Sequence, residues 1–567
     1  MSSGAFALLT PANALAKLAF SEVHDALIAG GQKSQTDGAQ AACRRRMRVE
    51  PEQRRNEEVI RLRREMERTQ YDSNGEASET ITEPDTDTDE LLGRRLGMVW
   101  HGSYLLDLNS TPAEPDRGWT VGKGPLDNIP IDLLLCTRAF AKMHDIKLRN
   151  PHARFNFFLE NMGFFIRGCS RSPTAQLTVN GDGVTQGAYH LNQHAMKIQS
   201  DKLVYDFQWT EYASTEHFKL RRRDHIVSAL NGGQRATDVD VEMPTPLPNR
   251  RTMGKWTLGD ALGTGGNGRV FFASDQSGNI AAIKVVERTS RNYNRVDREI
   301  DILQKVTDLA KSSIDGERIL RMEQAIYSNG EEFSSKTAFD NIAIVLKPMT
   351  PRTYGALLRT KHKGGSQGMT MEAAIAFRSA LLGVKVMHDK RWVHRDLKPA
   401  NIGLLGGGSV LLDVGTSRQI PAGGSLPSTP GTVGTIGYLA PELELEAYGL
   451  SVDIWAMGVI LYELTYNCHP WNLSINPWRD DKDNVALRDS FGKKYENAIA
   501  RMERDYKTAF ASPTQGYIHL GGLFIDMVRY RWAPNNHAQR PGIDEVLQHP
   551  AWGSLLPDSP QPKRRRL

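Results

Sequence analysis

The chain has 567 residues, more than one hydrophobic core usually serves, so two or three domains joined by linkers are expected. With 40% hydrophobic and 24% charged residues the composition is globular, and a formal net charge of +5 does not by itself indicate nucleic-acid binding. Four scattered cysteines give neither a disulfide framework nor a zinc-binding cysteine pattern, and no apolar run is long enough to span a membrane.

The first 92 residues combine three kinds of composition. An Ala-rich opening precedes an Arg/Glu-rich stretch that starts at Arg54, and an acidic run follows from Thr82. Such segments offer little apolar surface for a core, so we expect residues 1–92 to be a largely disordered tail with some helix. The opening carries no charge before Lys17, unlike the basic start of a signal peptide, so we expect an intracellular protein.

The pattern changes at residue 93. Residues 93–213 contain short apolar runs separated by Gly, Pro and Asn, which predicts β-hairpins and an all-β domain. Residues 214–252 hold the basic cluster KLRRR, a Gly-Gly pair and the Pro-spaced stretch MPTPLPN, which is typical of a linker. Strand-like and helical segments alternate over residues 253–555, which predicts an α+β domain, and a basic tail covers residues 556–567.

A glycine-rich segment, LGTGGNGRVFFA, lies between apolar runs that are suited to a hairpin. Glycines at Gly263, Gly265 and Gly268 would let backbone N–H groups approach phosphate oxygens without obstruction by a Cβ atom. Glycine-rich turns are common, so the segment needs support from residues elsewhere in the chain.

That support begins with a lysine in the next apolar strand. The run IAAIKVV carries Lys284, whose ammonium could contact the α- and β-phosphates of a nucleotide. A lysine in an apolar strand needs a partner, and Glu299 lies on the following segment of helical periodicity. Asp297 or Asp301 could take the same role, and Glu299 could also be a solvated helix charge.

The motif VHRDLKPAN closely resembles the catalytic loop of protein kinases, and VLLDVG downstream resembles their metal-binding loop. The resemblance implies that Asp396 accepts the proton of the substrate hydroxyl and that Lys398 offsets charge on the γ-phosphate. It also implies that Asn401 and Asp413 hold Mg²⁺. Lysine two residues after the aspartate is the serine/threonine-kinase pattern, whereas Val414 replaces the usual aromatic residue of the metal-binding loop.

The resemblance continues through GTIGYLAPE, SVDIWAMG and QRP, which follow in the family's order and extend it to slightly more than half of the chain. It implies a bilobal α+β kinase fold in which Glu442 pairs with Arg540 and Asp453 steadies the catalytic loop. Catalysis would then require ATP and Mg²⁺ as cofactors, Lys284 paired with Glu299, and protein substrates.

The same resemblance assigns the nucleotide pocket. In the segment IAIVLKPM, Leu346 is implied to lie behind the adenine, and the residues that follow would offer backbone hydrogen bonds. The implied ATP-binding residues are Leu262, Gly263, Gly265, Gly268, Val270, Ala282, Lys284, Leu346, Lys347 and Met349.

Regulation is expected in the segment between residues 413 and 442. Arg395 precedes the catalytic aspartate, and in kinases such an arginine commonly binds a phosphate on this segment. We predict Thr429 and Thr432 as phosphorylation sites, while Thr435 is expected to contact the catalytic aspartate. Two further candidates are Ser425 and Ser428.

Residues 93–209 resemble the forkhead-associated phosphothreonine-binding sandwich through WTVGKG, AKMHDIKL and TVNG, in the family's order. Lys123 stands where the family has arginine and is the candidate phosphopeptide-binding residue, although lysine lacks the arginine fork. Ala141 replaces a serine that would contact the phosphate, and His144 is expected to be structural. The predicted fold class is therefore multidomain, with an all-β sandwich followed by the bilobal α+β kinase fold.

The motifs together predict a serine/threonine protein kinase. A forkhead-associated domain ahead of such a kinase resembles the checkpoint kinases of fungi and animals, which implies a role in DNA-damage or cell-cycle signalling. Ser34-Gln35 and Thr69-Gln70 match the Ser/Thr-Gln sites of upstream damage kinases. The alternatives are a pseudokinase scaffold that docks a phosphothreonine-containing partner through the β domain, and a metabolic small-molecule kinase.

Location is predicted from basic clusters. The terminal KRRR and the KLRRR cluster, residues 219–223, are candidate nuclear-import patches, although a solvated basic tail explains the terminal run as well. We expect a nuclear protein, or otherwise a cytoplasmic one, with no direct nucleic-acid or membrane partner.

Overall fold

A computed structural model gives the fold of this chain. Two compact units are present, the first formed by Met1–Asp260 with Ala273–Asn279 and the second by Ala261–Phe272 with Ile280–Leu567. The structure describes residues 4–30, 38–73, 97–124, 131–169, 176–184, 187–229, 241–248, 250–265, 268–327, 341–360, 369–478, 485–511, 517–530 and 539–554.

The first unit contains two large sheets and several helices. The strands are β1 (Ala5–Pro11), β2 (Met47–Val49), β3 (Arg54–Arg55), β4 (Met98–Val99), β5 (Gly102–Asp107), β6 (Trp119–Lys123), β7 (Leu133–Cys136), β8 (Ala153–Phe157), β9 (Phe164–Gly168), β10 (Leu177–Val179), β11 (Asp182–Gly183), β12 (Ala188–His190), β13 (Ala195–Ser200), β14 (Leu203–Trp209) and β15 (Thr252–Met253). The helices are α1 (Ala14–Gly30), α2 (Gly38–Arg45), α3 (Glu57–Ser73), α4 (Arg138–Met143) and α5 (Glu216–Ala229).

The two sheets share one aromatic core. The larger sheet has seven strands in the order β11-β10-β13-β14-β1-β5-β2, and the smaller has five in the order β12-β9-β8-β6-β7. Phe6 on β1 packs edge-on against Trp119 of β6 and Phe164 of β9, with ring centroids 5.5 and 5.1 Å apart. Aromatic side chains from both sheets therefore form the interior of this unit.

The prediction of a largely disordered tail over residues 1–92 is wrong for much of that range. Strand β1 lies between β14 and β5, with Leu9 opposite Phe207 and Leu8 opposite Leu105. Helix α1 buries Phe20 and Val23 completely. This packed strand and helix were not predicted because the segment is rich in alanine. Small apolar residues can pack against an aromatic core without forming a strong hydrophobic pattern in the sequence.

The prediction of a linker over residues 214–252 is also wrong in part, and the unit is not all-β. Helix α5 buries Phe218 and places the guanidinium of Arg222 against the carbonyl oxygens of Met162 and Met243, at 3.2 Å each. Burial lowers the pKa of Arg222 to about 10, while the nearby Glu242 carboxylate raises it. The basic cluster is thus part of a packed helix, and it does not present an extended run of free cations.

From residue 256 onward, a sheet with one long helix precedes a mainly helical part. The strands are β16 (Trp256–Gly265), β17 (Gly268–Ser274), β18 (Ile280–Glu287), β19 (Arg321–Tyr327), β20 (Asn341–Lys347), β21 (Arg352–Thr353), β22 (Met369–Thr370), β23 (Trp392–Val393), β24 (Ile402–Leu405), β25 (Gly408–Leu411), β26 (Arg418–Gln419) and β27 (Tyr517–Ile518). The helices are α6 (Tyr293–Lys311), α7 (Tyr354–Thr360), α8 (Met371–Asp389), α9 (Pro441–Leu445), α10 (Ser451–Tyr466), α11 (Val485–Ala511), α12 (Gly521–Met527) and α13 (Ile543–Leu547).

A six-stranded sheet, in the order β15-β16-β17-β18-β20-β19, and helix α10 position the polar motifs. Helix α10 is apolar on all sides and almost entirely buried, with Trp455 fully enclosed, as is typical of a central core helix. Its one acidic side chain in the first turn, Asp453, is therefore held on a rigid support beneath the loop between β23 and β24.

Within the described residues, no helix is both long and apolar enough to cross a membrane. Ser34, Gln35 and the basic tail over residues 556–567 lie outside the described residues.

Candidate active site

Strand β18 and helix α6 bring the predicted lysine and glutamate together. Lys284 Nζ donates a hydrogen bond to Glu299 Oε1, and both side chains are mostly buried. Gly415 lies against the same glutamate, because a Cβ atom on Gly415 would be 2.9 Å from Glu299 Cγ. The ion pair that the sequence predicted between Lys284 and Glu299 is therefore present, and it lies next to the residues that follow Asp413.

The two alternatives for the lysine's partner have other contacts. Asp297 accepts two hydrogen bonds of 2.9 Å from the guanidinium of Arg288. Asp301 pairs with Lys305 at 2.7 Å on the exposed face of α6. Helical spacing allowed three acids, and the orientation of α6 selects Glu299 alone for the strand lysine.

Three polar side chains surround the carboxylate of Asp396, which lies on the loop between β23 and β24: Lys398 and Asn401 from the same loop, and Thr435 from the activation segment, residues 413–442. Asp396 Oδ1 accepts from Thr435 Oγ1 at 2.7 Å, and Lys398 Nζ lies 2.9 Å from Asp396 Oδ2. The same ammonium donates to Thr435 Oγ1 at 2.8 Å. Asn401 Nδ2 donates to Asp396 O at 2.7 Å, so the loop is tied to itself and the contact predicted for Thr435 is present.

Asp453 holds the backbone of this loop from below. The carboxylate accepts from the backbone N–H of His394 at 2.8 Å and of Arg395 at 3.0 Å, and from His388 Nε2 at 3.0 Å. Burial raises the pKa of Asp453, but the hydrogen bonds and charge of His388, with His394, hold it below its ordinary value. Arg395 has a positive φ of 72°, so the carboxylate stabilises a backbone conformation that is unfavourable for an arginine.

Asn401 and Asp413 are the candidate metal ligands. The backbone N–H of Leu412 donates to Asn401 O at 2.8 Å, which places Asn401 beside the residue that precedes Asp413. Both side chains offer oxygen donors of the kind that Mg²⁺ prefers, so the donor set fits that ion. Val414 is fully buried and packs in the core, so the smaller side chain still fills an apolar position there.

The predicted nucleotide-binding residues lie on adjacent strands. Gly268 has φ +132° and would place a Cβ atom 2.5 Å from Val285 O, so glycine is required at this position. Ala282 lies opposite Leu346 in the pairing of β18 with β20. The remaining predicted residues occupy the same sheet or its end: Leu262, Gly263 and Gly265 on β16, Val270 on β17, Lys284 on β18, Lys347 at the end of β20, and Met349 just beyond it.

Two further contacts belong to the helical part. Arg540 forms the predicted ion pair with Glu442 and also lies over the ring of Trp455, 5.2 Å from its centroid. Tyr438, in contrast, was missed by the sequence analysis and donates to Glu463 at 2.8 Å. A glutamate in the otherwise apolar run VILYELTY was the available signal, because a charge at a buried helical position needs a partner.

The candidate phosphopeptide-binding residue of the first unit is Lys123. Lys123 lies at the end of β6, and its backbone N–H donates to Arg149 O at 3.3 Å. His152 lies beside Gly122, is almost fully buried, and has a pKa lowered to about 4 by burial. His144 caps the C-terminal end of helix α4, and the centroid of its ring lies 4.2 Å from that of Phe140.

Comparison with known proteins identifies the family. The protein kinase domain family matches residues 256–552, which is slightly more than half of the chain. Zebrafish (Danio rerio) inhibitor of nuclear factor kappa-B kinase subunit alpha is 24% identical over 54% of this chain and 41% of its own length. The rice (Oryza sativa subsp. japonica) CBL-interacting protein kinase 8 is 30% identical over 47% of this chain and 53% of its own. The Arabidopsis thaliana CBL-interacting serine/threonine-protein kinase 8 is 32% identical over 39% and 46%.

This chain spans about half the length of the curated relatives it matches. The matched residues include each of the polar groups described above, from Lys284 to Arg540. The chain belongs to the protein kinase family.

Proposed function

We propose that this protein is a serine/threonine protein kinase that transfers the γ-phosphate of ATP to hydroxyl groups of protein substrates. The observation that carries the proposal is the contact set of Asp396, whose carboxylate accepts from Thr435 at 2.7 Å and lies 2.9 Å from Lys398. A carboxylate held in this way is suited to accept a hydroxyl proton, and the neighbouring ammonium is suited to offset charge on a phosphoryl group.

The remaining groups would bind and orient the nucleotide. Lys284, paired with Glu299, is suited to contact the α- and β-phosphates as a point charge. Asn401 and Asp413 would hold Mg²⁺, which when bound neutralises charge on the phosphate oxygens. Serine/threonine specificity is supported by Lys398 and by the name of the Arabidopsis relative.

The test is phosphate transfer from radiolabelled ATP, with Mg²⁺, to a degenerate peptide library. Asp396→Asn removes the proton acceptor and should lower the rate by roughly 10² to 10⁴. Asp413→Ala should also abolish transfer. A matched control is Asp389→Asn, since Asp389 is a half-exposed acid at the end of α8 that pairs with Lys385.

The outcomes separate this proposal from the pseudokinase scaffold. Transfer to Ser or Thr that survives Asp389→Asn but not Asp396→Asn supports the enzyme. Absence of transfer from the wild type, after treatment with phosphatase and after treatment with an activating kinase, favours the scaffold. The retention of Lys284, Glu299, Asp396, Asn401 and Asp413 in the sequence supports the enzyme over the scaffold.

A second proposed activity is binding of a phosphothreonine-containing partner by the first unit. The supporting observation is that Lys123 and Arg149 are neighbours across one backbone hydrogen bond, which brings two cationic residues to one end of the smaller sheet. Fluorescence anisotropy of the full chain with phosphothreonine peptides tests it. Lys123→Ala should weaken binding, Lys197→Ala on β13 should not, and equal binding of unphosphorylated peptides would contradict the proposal.

The checkpoint role and the nuclear location remain predictions from the sequence. A reporter that lacks residues 562–567 and stays nuclear would exclude the terminal basic run as the import signal. Loss of the damage response on deletion of the gene would be needed to support the checkpoint role.

A further inference from the structure

Tyr448 connects the catalytic loop to the activation segment, residues 413–442. Its backbone exchanges two hydrogen bonds of 2.9 Å with Leu426, which forms an isolated antiparallel bridge. Its phenolic oxygen lies 3.2 Å from Arg395 Nη1, and the residue is only 2% exposed. One buried side chain therefore contacts the arginine before the catalytic aspartate, while its backbone holds the middle of the segment.

Each of the three guanidinium nitrogens of Arg395 donates a hydrogen bond within the protein. Nε donates to Thr416 O at 2.8 Å, Nη2 donates to the same carbonyl oxygen, and Nη1 donates to the Tyr448 hydroxyl. Thr416 is itself fixed, since its hydroxyl donates to His394 O at 3.0 Å. A guanidinium with neutral acceptors on three nitrogens needs no phosphate to be held in place.

The carboxylate of Glu444 binds the backbone of the activation segment near Gly431. Glu444 accepts the backbone N–H of Gly431 with both oxygens, at 2.9 and 3.2 Å, and is 4% exposed. The backbone N–H of Thr429 donates to Leu443 O at 3.1 Å. The activation segment is therefore bonded to helix α9 by the negatively charged side chain of Glu444 and by the carbonyl group of Leu443.

Thr429 is poorly placed to carry an activating phosphate. Its hydroxyl oxygen is buried, and within the part of the chain that the structure describes it has no hydrogen-bond partner. A phosphate there would lie two residues from the amide that Glu444 holds, where like charges repel and desolvation is costly. Thr432, by contrast, is exposed, and its hydroxyl donates to Thr429 O at 3.0 Å.

We propose that Tyr448 and Glu444 are positioning residues that hold the activation segment and Arg395 in their catalytic arrangement without a phosphate, and that phosphorylation of Thr429 disrupts this arrangement. The proposal rests on the proposed kinase function. It replaces the sequence-based expectation that phosphorylation of Thr429 activates the enzyme.

The first test uses the full chain after phosphatase treatment, with phosphate absence checked by mass spectrometry. The wild type should retain its kcat for peptide phosphorylation. Tyr448→Phe and Glu444→Gln should each lower kcat about tenfold with little change in the KM for ATP, because each removes one charge-assisted hydrogen bond. Glu444→Asp should restore part of the activity, while Tyr506→Phe and Glu503→Gln, both exposed on α11, should have no effect.

The second test does not depend on catalysis. Hydrogen exchange of residues 424–433 should be faster in Tyr448→Phe and Glu444→Gln than in the wild type, at unchanged exchange of α10. Thr429→Glu should lower kcat and accelerate the same exchange, whereas Thr432→Glu should do neither.

The outcomes are distinguishable. Loss of wild-type activity on phosphatase treatment overturns the inference, as do unchanged kcat and unchanged exchange in both positioning variants, or activation by Thr429→Glu. A wild type that transfers no phosphate under any condition contradicts the kinase function instead, and hydrogen exchange then decides the positioning role alone.

Discussion

Tyr438 donates its phenolic hydrogen to the carboxylate of Glu463 at 2.8 Å, within the helical part of the second unit. Glu463 lies on the buried helix α10, where desolvation raises its pKa from 4.5 to about 7 and the tyrosine's hydrogen bond partly offsets that rise. The pair connects the C-terminal part of the activation segment to the central helix α10, so the protonation state of Glu463 affects how that part of the segment is held.

This pair predicts a pH dependence of stability. Because the pKa of Glu463 is higher in the folded state, its contribution is fully present below about pH 4.5 and is lost as the pH rises through about 7. The free energy of unfolding should therefore fall between pH 5 and pH 8, and Glu463→Gln should reduce that fall. Urea unfolding at both pH values measures it, with Glu503→Gln as the exposed control. Identical pH profiles for wild type and Glu463→Gln would contradict the assignment.

The Lys284–Glu299 ion pair predicts a selective effect on catalysis. Lys284→Met and Glu299→Gln should each lower kcat/KM by about 10² to 10³, the range found on removal of one charge-stabilising donor. Asp301→Asn is the matched control, since Asp301 lies on the same helix and its pair with Lys305 is exposed. If the control loses as much activity as Glu299→Gln, helix α6 as a whole is responsible and the specific pairing is refuted.

We expect substitution of Asp453 to lower both the stability and the activity of the second unit. Asp453→Asn removes the charge that accepts two backbone N–H groups and His388, so the second unit should lose about 3 kcal/mol of stability. Since the pKa of Asp453 is lowered in the folded state, this contribution is present above its unfolded pKa and is lost as the pH falls. Thermal unfolding at pH 7 and at a pH well below 3.8, the ordinary pKa of an aspartate, checks both points, and Asp389→Asn should change neither result.

Arg46 and Asp132 test the folded state of the N-terminal residues. Their ion pair, 2.8 Å long, is almost completely buried, and Arg46 also donates to Thr111 O at 2.7 Å. Arg46→Met leaves the Asp132 charge without its partner and should destabilise the first unit by about 3 to 5 kcal/mol. Arg117→Met breaks only an exposed pair and should cost under about 1 kcal/mol. Equal melting temperatures of the two variants would mean that residues 38–49 are not packed as described.

Much of the active site could be predicted from the chain alone. The contacts of Asp396 with Lys398 and Asn401 are local, so a short motif contains all three groups, and their chemistry requires those residue types. The pairs of Lys284 with Glu299 and of Glu442 with Arg540 are longer in range. They were predictable because each charge lies in an apolar segment or a family motif, where a buried charge needs a partner.

Other parts of the fold depended on contacts that no local pattern contains. The Ala-rich segment of β1 becomes a central strand only because β5 and β14 lie on its two sides, more than ninety residues away. Arg222 on helix α5 is buried because distant segments cover it, and its guanidinium donates hydrogen bonds to the carbonyl oxygens of Met162 and Met243. The composition of a segment indicates which secondary structures it can form. Whether the segment is buried depends on which other segments pack against it.

The sequence by itself determined the kinase family, the residues suited to bind phosphate and metal, and the presence of a second domain before the kinase domain. Those properties follow from residue chemistry at fixed spacing along the chain. Only the tertiary structure decided that Glu299 and not Asp297 pairs with Lys284, that His152 lies beside Gly122, and that Tyr448 contacts Arg395. Each of these depends on which segments of the chain pack against one another, and the direction of a side chain on a helix or strand is one part of that.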